Sequence, residues 1–141
     1  PLIGRDKAVI DLGSGGGLPG LVLAMLGVQH ITLIESDVRK TVFLREVSRE
    51  TGLTNVTILN KRLEQAEGLK APVITARALA PLSQLVAWAT AFCEPKTTML
   101  FPKGQDYQSE IDALPSKEIY KIDVIQSVTE DKAKIVRLIW Q

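Results

Sequence analysis

The chain has 141 residues, of which 45% are hydrophobic and 23% charged, and its formal net charge at pH 7 is +1. These values predict a single folded domain over residues 1–141 and exclude a disordered chain, a collagen-like chain and a disulfide scaffold. The longest apolar run, residues 21–26, is far shorter than the ~20 residues that span a bilayer, and the first residues lack the layout of a signal peptide. We therefore expect a cytoplasmic protein with no membrane partner, whose near-neutral charge permits at most a local basic patch.

Strand-like and helix-like patterns alternate over the first two thirds of the chain. Short β-branched or apolar runs predict five strands, at residues 8–12, 30–35, 55–59, 72–76 and 97–101. Apolar residues and helix-ending signals predict three helices, at residues 18–26, 38–51 and 81–92, with Asp37 as the N-cap of the second and Gly52 as its stop. This alternation is typical of a largely parallel sheet with helices on both faces.

The last third of the chain breaks that alternation. Residues 118–125 and 134–140 have strand-like patterns, and only a polar, turn-like segment joins them. Two such strands form a hairpin, in which one strand must run antiparallel to the rest of the sheet. The sequence therefore predicts an α/β fold with a seven-stranded sheet that is mostly parallel and ends in an antiparallel hairpin.

A glycine-rich loop directly follows the first predicted strand. Residues 11–20 read DLGSGGGLPG, and glycines at this point let a ligand approach backbone N–H groups that a Cβ atom would shield. Glu35 ends the second strand 24 positions after Asp11, which places its carboxylate beside the loop, where neighbouring strands end. A carboxylate there accepts hydrogen bonds from both hydroxyls of a ribose, so we expect a cofactor that contains a nucleoside.

Two classes of nucleoside cofactor fit this loop. Residues 15–20 match the G-x-G-x-x-G pattern of dinucleotide sites, which makes a nicotinamide-dependent reductase the alternative. Against it, Asp11 stands at the strand end before Gly13, and the terminal hairpin is foreign to dinucleotide-binding halves. The pattern D-x-G-x-G-x-G resembles instead the first motif of Rossmann-like class I methyltransferases. That resemblance implies S-adenosylmethionine as the cofactor, and a similar seven-stranded sheet with one antiparallel strand near its C-terminal edge.

Five stretches of the sequence, taken in order, resemble one family more specifically. They are VIDLGSGGGLPGLVLAML at 9–26, KTVFLR at 40–45, RLE at 62–64, TARA at 75–78 and PKGQ at 102–105. Over essentially its whole length the chain is similar to the bacterial 16S ribosomal RNA guanine-N7 methyltransferases, also called the glucose-inhibited division protein B family. The resemblance implies methylation of a guanine in the 530-loop of 16S rRNA, on the small ribosomal subunit or on free RNA. Members of the family carry a helical extension before the first strand, so we expect this chain to be a truncated or minimal form. We also expect it to be a monomer.

The resemblance also implies roles for residues at the carboxyl ends of the strands. The glycine loop would hold the methionine end of the cofactor, Glu35 its ribose, and Arg62 with Leu63 its adenine. Arg77 and Lys103 would position the RNA target. The full set expected at the cofactor is Asp11, Gly13, Ser14, Gly15, Gly17, Leu18, Glu35, Ser36, Arg62, Leu63 and Arg77.

The chemistry of guanine N7 agrees with the residues available. Its lone pair lies in the ring plane and carries no proton, so transfer to it needs alignment and desolvation more than a general base. Residues 75–78 lack the Asp/Asn-Pro-Pro-aromatic motif of amine methylation, and the only histidine, His30, stands at the start of a strand. The only thiol, Cys93, falls at the far end of a predicted helix, where a small buried hydrophobe is expected.

The single cysteine and the two tryptophans give further expectations. A single cysteine excludes an intrachain disulfide and a cysteine-based zinc cluster, and we expect no metal. Trp88 and Trp140 occupy positions at which packing in the core is expected rather than stacking on bases. A cofactor-binding scaffold, inactive because an N-terminal part is missing, is the non-enzyme alternative.

Overall fold

The structure is a computed structural model that describes residues 3–13, 19–76, 80–126 and 134–141. The strands in these ranges are β1 (Ala8–Leu12), β2 (His30–Ile34), β3 (Val56–Leu59), β4 (Val73–Ala76), β5 (Thr98–Lys103), β6 (Tyr120–Gln126) and β7 (Lys134–Trp140). The α-helices are α1 (Gly20–Met25), α2 (Val38–Glu50), α3 (Leu82–Thr90) and α4 (Tyr107–Asp112), and single 3₁₀ turns lie at Leu63–Gln65 and Lys117–Ile119. Among the helices so described, none has the length and apolar character needed to cross a membrane.

All seven strands form one sheet in the order β3-β2-β1-β4-β5-β7-β6. Strands β1 to β5 pair in parallel, whereas β7 runs antiparallel to both β5 and β6. The predicted terminal hairpin is therefore confirmed, and β7 is its antiparallel strand. This order differs from the sequence 3-2-1-4-5-6 of the dinucleotide-binding fold.

Side chains alternate between the two faces of the sheet, and each face carries helices. Val9 belongs to a core cluster with Leu21 of α1 and Leu44 of α2. Its neighbour Ile10 belongs to the other cluster, which holds Leu85 of α3 and residues of α4. This period of two is what strand geometry requires of a sheet buried on both faces, so the predicted three-layer arrangement is confirmed.

The predicted elements are present, with ends that differ by a few residues. Asp37 caps α2 as expected, because its carboxylate accepts the backbone N–H groups of Arg39 at 2.8 Å and Lys40 at 3.2 Å. Gly52 follows α2 at φ +69°, a conformation that favours glycine. Helix α4 was not predicted, because six residues with one buried side chain, Ile111, leave too short a periodic pattern.

The parallel strands β1, β2, β3, β4 and β5 all end at the same edge of the sheet. The residues that follow them therefore converge there, and these include most of the site residues predicted from the sequence. Ligands of open α/β sheets bind at this carboxyl edge, outside the strands.

Candidate functional site

A cavity of about 500 Å³ opens at the carboxyl edge, where β1 and β2 end. We call it the polar cavity, because charged side chains of both signs contribute to its wall. Its volume lies within the ~300–1,000 Å³ range of small-molecule sites. Five of the predicted cofactor residues line it, namely Gly13, Glu35, Ser36, Arg62 and Leu63.

Gly13 begins the glycine loop and contributes backbone to the cavity wall. Its φ of +64° lies in the left-handed region, which L side chains rarely adopt. Its N–H donates to the carbonyl of Ile34 at 2.8 Å, which ties the start of the loop to the end of β2. Ser14, Gly15, Gly17 and Leu18 lie outside the described residues, and their part in the site stays a prediction.

Glu35 follows β2 directly, and its position is determined by several hydrogen bonds. Its side chain is largely buried, with 6% of the residue exposed, and Oε2 accepts the N–H of Asp37 at 2.8 Å. Asn60, which follows β3, donates from Nδ2 to the carbonyls of Glu35 at 3.0 Å and Ser36 at 3.1 Å. The carboxylate is thus held at the cavity wall before any ligand arrives, as a site for a pair of hydroxyls requires.

Asp11 lies in β1, two positions before Gly13, and is not part of the cavity lining. Only 1% of the residue is exposed, and Oδ1 accepts the hydroxyl of Thr75 in β4 at 2.6 Å. A Cβ atom on Gly20, the first residue of α1, would lie 2.8 Å from Oδ2 of Asp11. Asp11 therefore precedes the glycine loop in the sequence and packs against Gly20 at its far end, a placement suited to ordering the loop.

The 3₁₀ turn after β3 forms another part of the cavity wall. Arg62 precedes it, and its carbonyl accepts the N–H of Gln65 at 2.9 Å, which presents Arg62, Leu63 and Glu64 to the cavity. The prediction placed Arg62 and Leu63 at the cofactor, and both line this cavity. Whether they contact adenine stays a prediction.

Sequence reasoning missed several residues of the lining. They are Asp37, Lys40, Lys61, Glu64 and Trp88. Trp88 was expected to pack in the core; it packs against the core only in part and also lines the cavity from α3. Asp37, Lys61 and Glu64 directly flank predicted site residues along the chain, so a wider window around the strand ends would have included them.

Lys103, predicted to position RNA, makes its contacts inside the protein. Along β5, Met99 and Phe101 are buried in the cluster that faces α3 and α4, and the alternation places Lys103 on that same face. Its Nζ donates to the carbonyl of Ala80 at 2.7 Å and lies 3.0 Å from Oε1 of Glu110. Arg77, the other predicted RNA contact, lies outside the described residues, and its role stays a prediction.

Histidine and cysteine are absent from the described lining of the polar cavity. Nε2 of His30 bonds Oγ1 of Thr57 at 2.8 Å in an exposed position at the opposite, amino edge of the sheet. Cys93 is buried, and burial raises the pKa of its thiol to about 11, against a smaller lowering by Lys70. The thiol is therefore protonated near neutral pH, which agrees with the prediction that Cys93 is a small buried hydrophobic residue.

A second cavity, of about 460 Å³, lies on the sheet face that carries α1. We call it the apolar cavity. Most of its apolar wall comes from Leu23 of α1, Leu26 directly after α1, Leu100 and Pro102 of β5, and Ile135 of β7. Thr75, whose hydroxyl donates to Asp11, also borders it.

Comparisons with known proteins identify relatives along nearly the whole chain. A family model described as GidB, rRNA small subunit methyltransferase G, matches residues 1–139. The chain is 45% identical over 133 residues to ribosomal RNA small subunit methyltransferase G of Jannaschia sp. (strain CCS1), an alignment that covers 91% of this chain and 63% of that protein. It is 43% identical over 132 residues to the protein of the same name from Paramagnetospirillum magneticum, covering 94% and 64%. The chain thus spans less than two thirds of the length of these relatives.

Solved structures at low sequence identity share the fold. The ribosomal protein L11 methylase of Lactobacillus delbrueckii subsp. bulgaricus superposes with a TM-score of 0.79 at 15% identity, covering 96% of this chain and 71% of that chain. A mutant of MtNAS in complex with S-adenosylmethionine gives a TM-score of 0.75 at 16% identity, covering 96% and 55%. At these identities the likeness establishes a Rossmann-like class I methyltransferase fold, which confirms the fold class expected from the sequence.

Proposed function

The chain belongs to the GidB family, rRNA small subunit methyltransferase G, and from that membership we propose that it binds S-adenosylmethionine in the polar cavity and methylates RNA of the small ribosomal subunit. The acceptor in this proposal is N7 of a guanine in the 530-loop of 16S rRNA. The observation that carries the proposal is the carboxylate of Glu35, held at the cavity wall beside the first glycine of the loop. We further propose that the protein acts in the cytoplasm as a monomer.

The residues of the polar cavity fit the parts of such a cofactor. S-adenosylmethionine supplies an electrophilic methyl group on a sulfonium sulfur. Glu35 would accept hydrogen bonds from the ribose hydroxyls, each worth ~1.5–3 kcal/mol because the acceptor is charged. Leu63 and Trp88 offer the apolar and aromatic surface that a purine requires, and Gly13 leads into the loop proposed for the methionine end.

The chain's own contribution to catalysis would be binding, alignment and exclusion of water. Guanine N7 gives up no proton on methylation, so no side chain has to accept one, and the described lining provides neither histidine nor cysteine for that task. Arg77 would contact the target base or a nearby phosphate from the end of β4, because guanidinium groups match the acceptors on that edge of guanine.

The alternative of a nicotinamide-dependent reductase finds no support in the sheet. The dinucleotide fold continues from its fifth strand to a parallel sixth, whereas here the antiparallel β7 lies between β5 and β6. Calorimetric titration separates the two functions. We expect submicromolar binding of S-adenosylhomocysteine, the product of methyl transfer, and no heat of binding with NADH; the reverse pattern would reject the methyltransferase.

The reaction itself is tested on ribosomal RNA from cells that lack this modification. Small subunits and naked 16S rRNA are incubated with S-adenosylmethionine and either the 141-residue chain or a version extended to the length of its relatives. N7-methylguanine is then mapped along the RNA. We expect one modified guanine in the 530-loop, and much less of it with the Glu35→Ala variant when S-adenosylmethionine is kept below that variant's Kd. Methylation by neither protein would refute the proposed activity, and methylation by the extended protein alone would show that the chain is only part of the enzyme.

A further inference from the structure

An ion pair inside the protein joins the end of β5 to α4. The side chain of Lys103 is 5% exposed and that of Glu110 is 23% exposed, with Nζ and Oε1 separated by 3.0 Å. Nζ also donates to the carbonyl of Ala80 at 2.7 Å. An ammonium this deeply buried is tolerated only with partners of this kind, because an unpaired buried charge is strongly destabilising.

Glu110 also caps the start of α3. Its Oε1 accepts the N–H of Leu82, the first residue of α3, at 2.8 Å. Pro81, at the N-cap position of that helix, makes no side-chain capping hydrogen bond. A carboxylate from α4 therefore satisfies a backbone donor that the helix would otherwise leave without an intrahelical partner.

These contacts hold the chain shortly after it leaves β4. Ala76, the last residue of β4, is paired with Leu12 in the sheet. Four positions further along the chain, the carbonyl of Ala80 accepts a hydrogen bond from Lys103. The sequence between these two anchored residues contains Arg77, the residue proposed to contact the RNA target. The ion pair thus holds Ala80 and the start of α3 at Leu82, the described residues that follow this stretch.

We infer that Lys103 is a positioning residue, which acts through Ala80 and Glu110 to set the exit of the chain from β4, and that it does not contact RNA itself. The inference rests on the proposed function, since it assigns Lys103 a task in placing the residues that meet the target. It differs from the role expected from the sequence, in which Lys103 holds the polyanion directly.

Three variants distinguish positioning from direct contact: Lys103→Met, Glu110→Gln and the two combined. If Lys103 acts through Glu110, each single variant lowers kcat for RNA methylation by about tenfold or more, and the double variant loses no more than the worse single, because the two residues act as a unit. The affinity for S-adenosylhomocysteine should stay within about twofold. Lys121→Met, the same change at an exposed lysine of β6, serves as the control and should leave kcat unchanged.

Measuring RNA affinity at several salt concentrations shows whether Lys103 contacts a phosphate directly. A lysine that touches a phosphate contributes about one unit to the slope of log affinity against log salt, and its removal weakens binding whatever the sequence. A reduced slope in Lys103→Met, with Glu110→Gln unchanged in kcat, would overturn the inference. An unchanged slope in Lys103→Met supports it.

Hydrogen exchange at the Leu82 amide tests the anchoring without any need for methylation. Exchange should accelerate by about tenfold in Glu110→Ala, which removes the acceptor of the Leu82 N–H, and stay unchanged in Lys121→Met. If Lys103→Met does not fold, Glu110→Gln carries the methylation test alone. If neither the 141-residue chain nor its extended version methylates RNA, the proposed function fails, whereas slow exchange in Glu110→Ala, equal to that of the wild type, would refute the anchoring itself.

Discussion

The two cavities of this protein are nearly equal in size and opposite in character. The polar cavity holds about 500 Å³ and the apolar cavity about 460 Å³. Glu35, Lys40 and Arg62 are among the residues that line the first, whereas leucine, isoleucine, valine and proline dominate the second. Volume alone therefore does not distinguish the proposed cofactor site from the other cavity. The charged residues of its lining, and the hydrogen bonds that hold Glu35, distinguish it.

The difference follows from where each cavity lies on the sheet. The polar cavity is formed by residues that follow parallel strands, so backbone and charged groups converge at one edge. The apolar cavity lies on a face, where α1 packs mainly on β2, while side chains of β4, β5 and β7 line the space. The two regions are adjacent along β1: Thr75 borders the apolar cavity and donates to Asp11, and Asp11 stands two positions before Gly13, which lines the polar cavity.

The largest effect should come from Glu35 in the polar cavity. Replacing Glu35 with Ala would remove the two charge-assisted hydrogen bonds proposed to the ribose, and at ~1.5 kcal/mol each the Kd for S-adenosylhomocysteine should rise about 100-fold. Glu35→Gln keeps an acceptor for the Asp37 N–H and should raise the Kd about tenfold. Titration calorimetry measures both variants.

Glu67→Gln is the matched control, because Glu67 is exposed and lies outside the lining of the polar cavity. Its Kd should equal that of the wild type. A Glu35→Ala variant that also binds like the wild type would place the ribose elsewhere and remove the reason for treating the two cavities as functionally different.

The next effect concerns Gly20, at which α1 begins close to Asp11. A Cβ atom there would lie 2.3 Å from Cδ2 of Leu33 and 2.8 Å from Oδ2 of Asp11, so Gly20→Ala forces buried side chains apart. We expect the free energy of unfolding to fall by about 1–2 kcal/mol, since overpacking outweighs the gain in helix propensity. Gly104→Ala, with no atom within 4 Å of the added Cβ, should change it by less than about 0.5 kcal/mol. Equal stabilities in urea denaturation would mean that the contact with Asp11 is not tight.

A smaller effect is expected at Thr75, which borders the apolar cavity and donates to Asp11. Thr75→Val removes the hydroxyl that donates to Asp11 at 2.6 Å while keeping the shape of the side chain. A hydrogen bond to a buried carboxylate contributes ~1.5–3 kcal/mol, so we expect stability to fall by about 1.5 kcal/mol and cofactor affinity to fall a few-fold through the glycine loop. Thr75→Ser keeps the hydroxyl and should retain the affinity. Loss of affinity in both variants would point to packing rather than to the hydrogen bond.

Much of this architecture could be predicted, because its signals are local. Strand β7 was located at its observed ends, and Asp37 and Gly52 marked the limits of α2 through capping rules that need only the neighbouring residues. Glu35 could be placed at the site because the carboxyl ends of neighbouring parallel strands must meet. Local patterns thus determine most of the elements and the location of the polar cavity.

The features that were missed depend on partners distant in sequence. Lys103 follows the alternation of β5 into the interior, but its partner Glu110 lies on α4, a helix too short to predict, so the ion pair could not be foreseen. Trp88 has the spacing of a core residue in α3, and only the assembled sheet reveals that part of its surface borders the polar cavity. Tertiary packing decides both cases.

The smallest effect should come from the apolar cavity, and it tests whether that cavity takes part in cofactor binding at all. Leu26 borders the cavity at the C-terminal end of α1 and is 60% exposed. In Leu26→Lys the methylene groups cover the same surface while the ammonium reaches solvent, so the free energy of unfolding should change by less than about 0.5 kcal/mol. The Kd for S-adenosylhomocysteine should stay within about twofold, whereas binding of the uncharged dye Nile red should weaken. Val22→Lys, on the same helix but outside the lining, should change neither the Kd for S-adenosylhomocysteine nor the binding of Nile red. A fivefold or larger change in Kd confined to Leu26→Lys would show that the cavities are coupled, with Thr75 and Asp11 as the physical route between them.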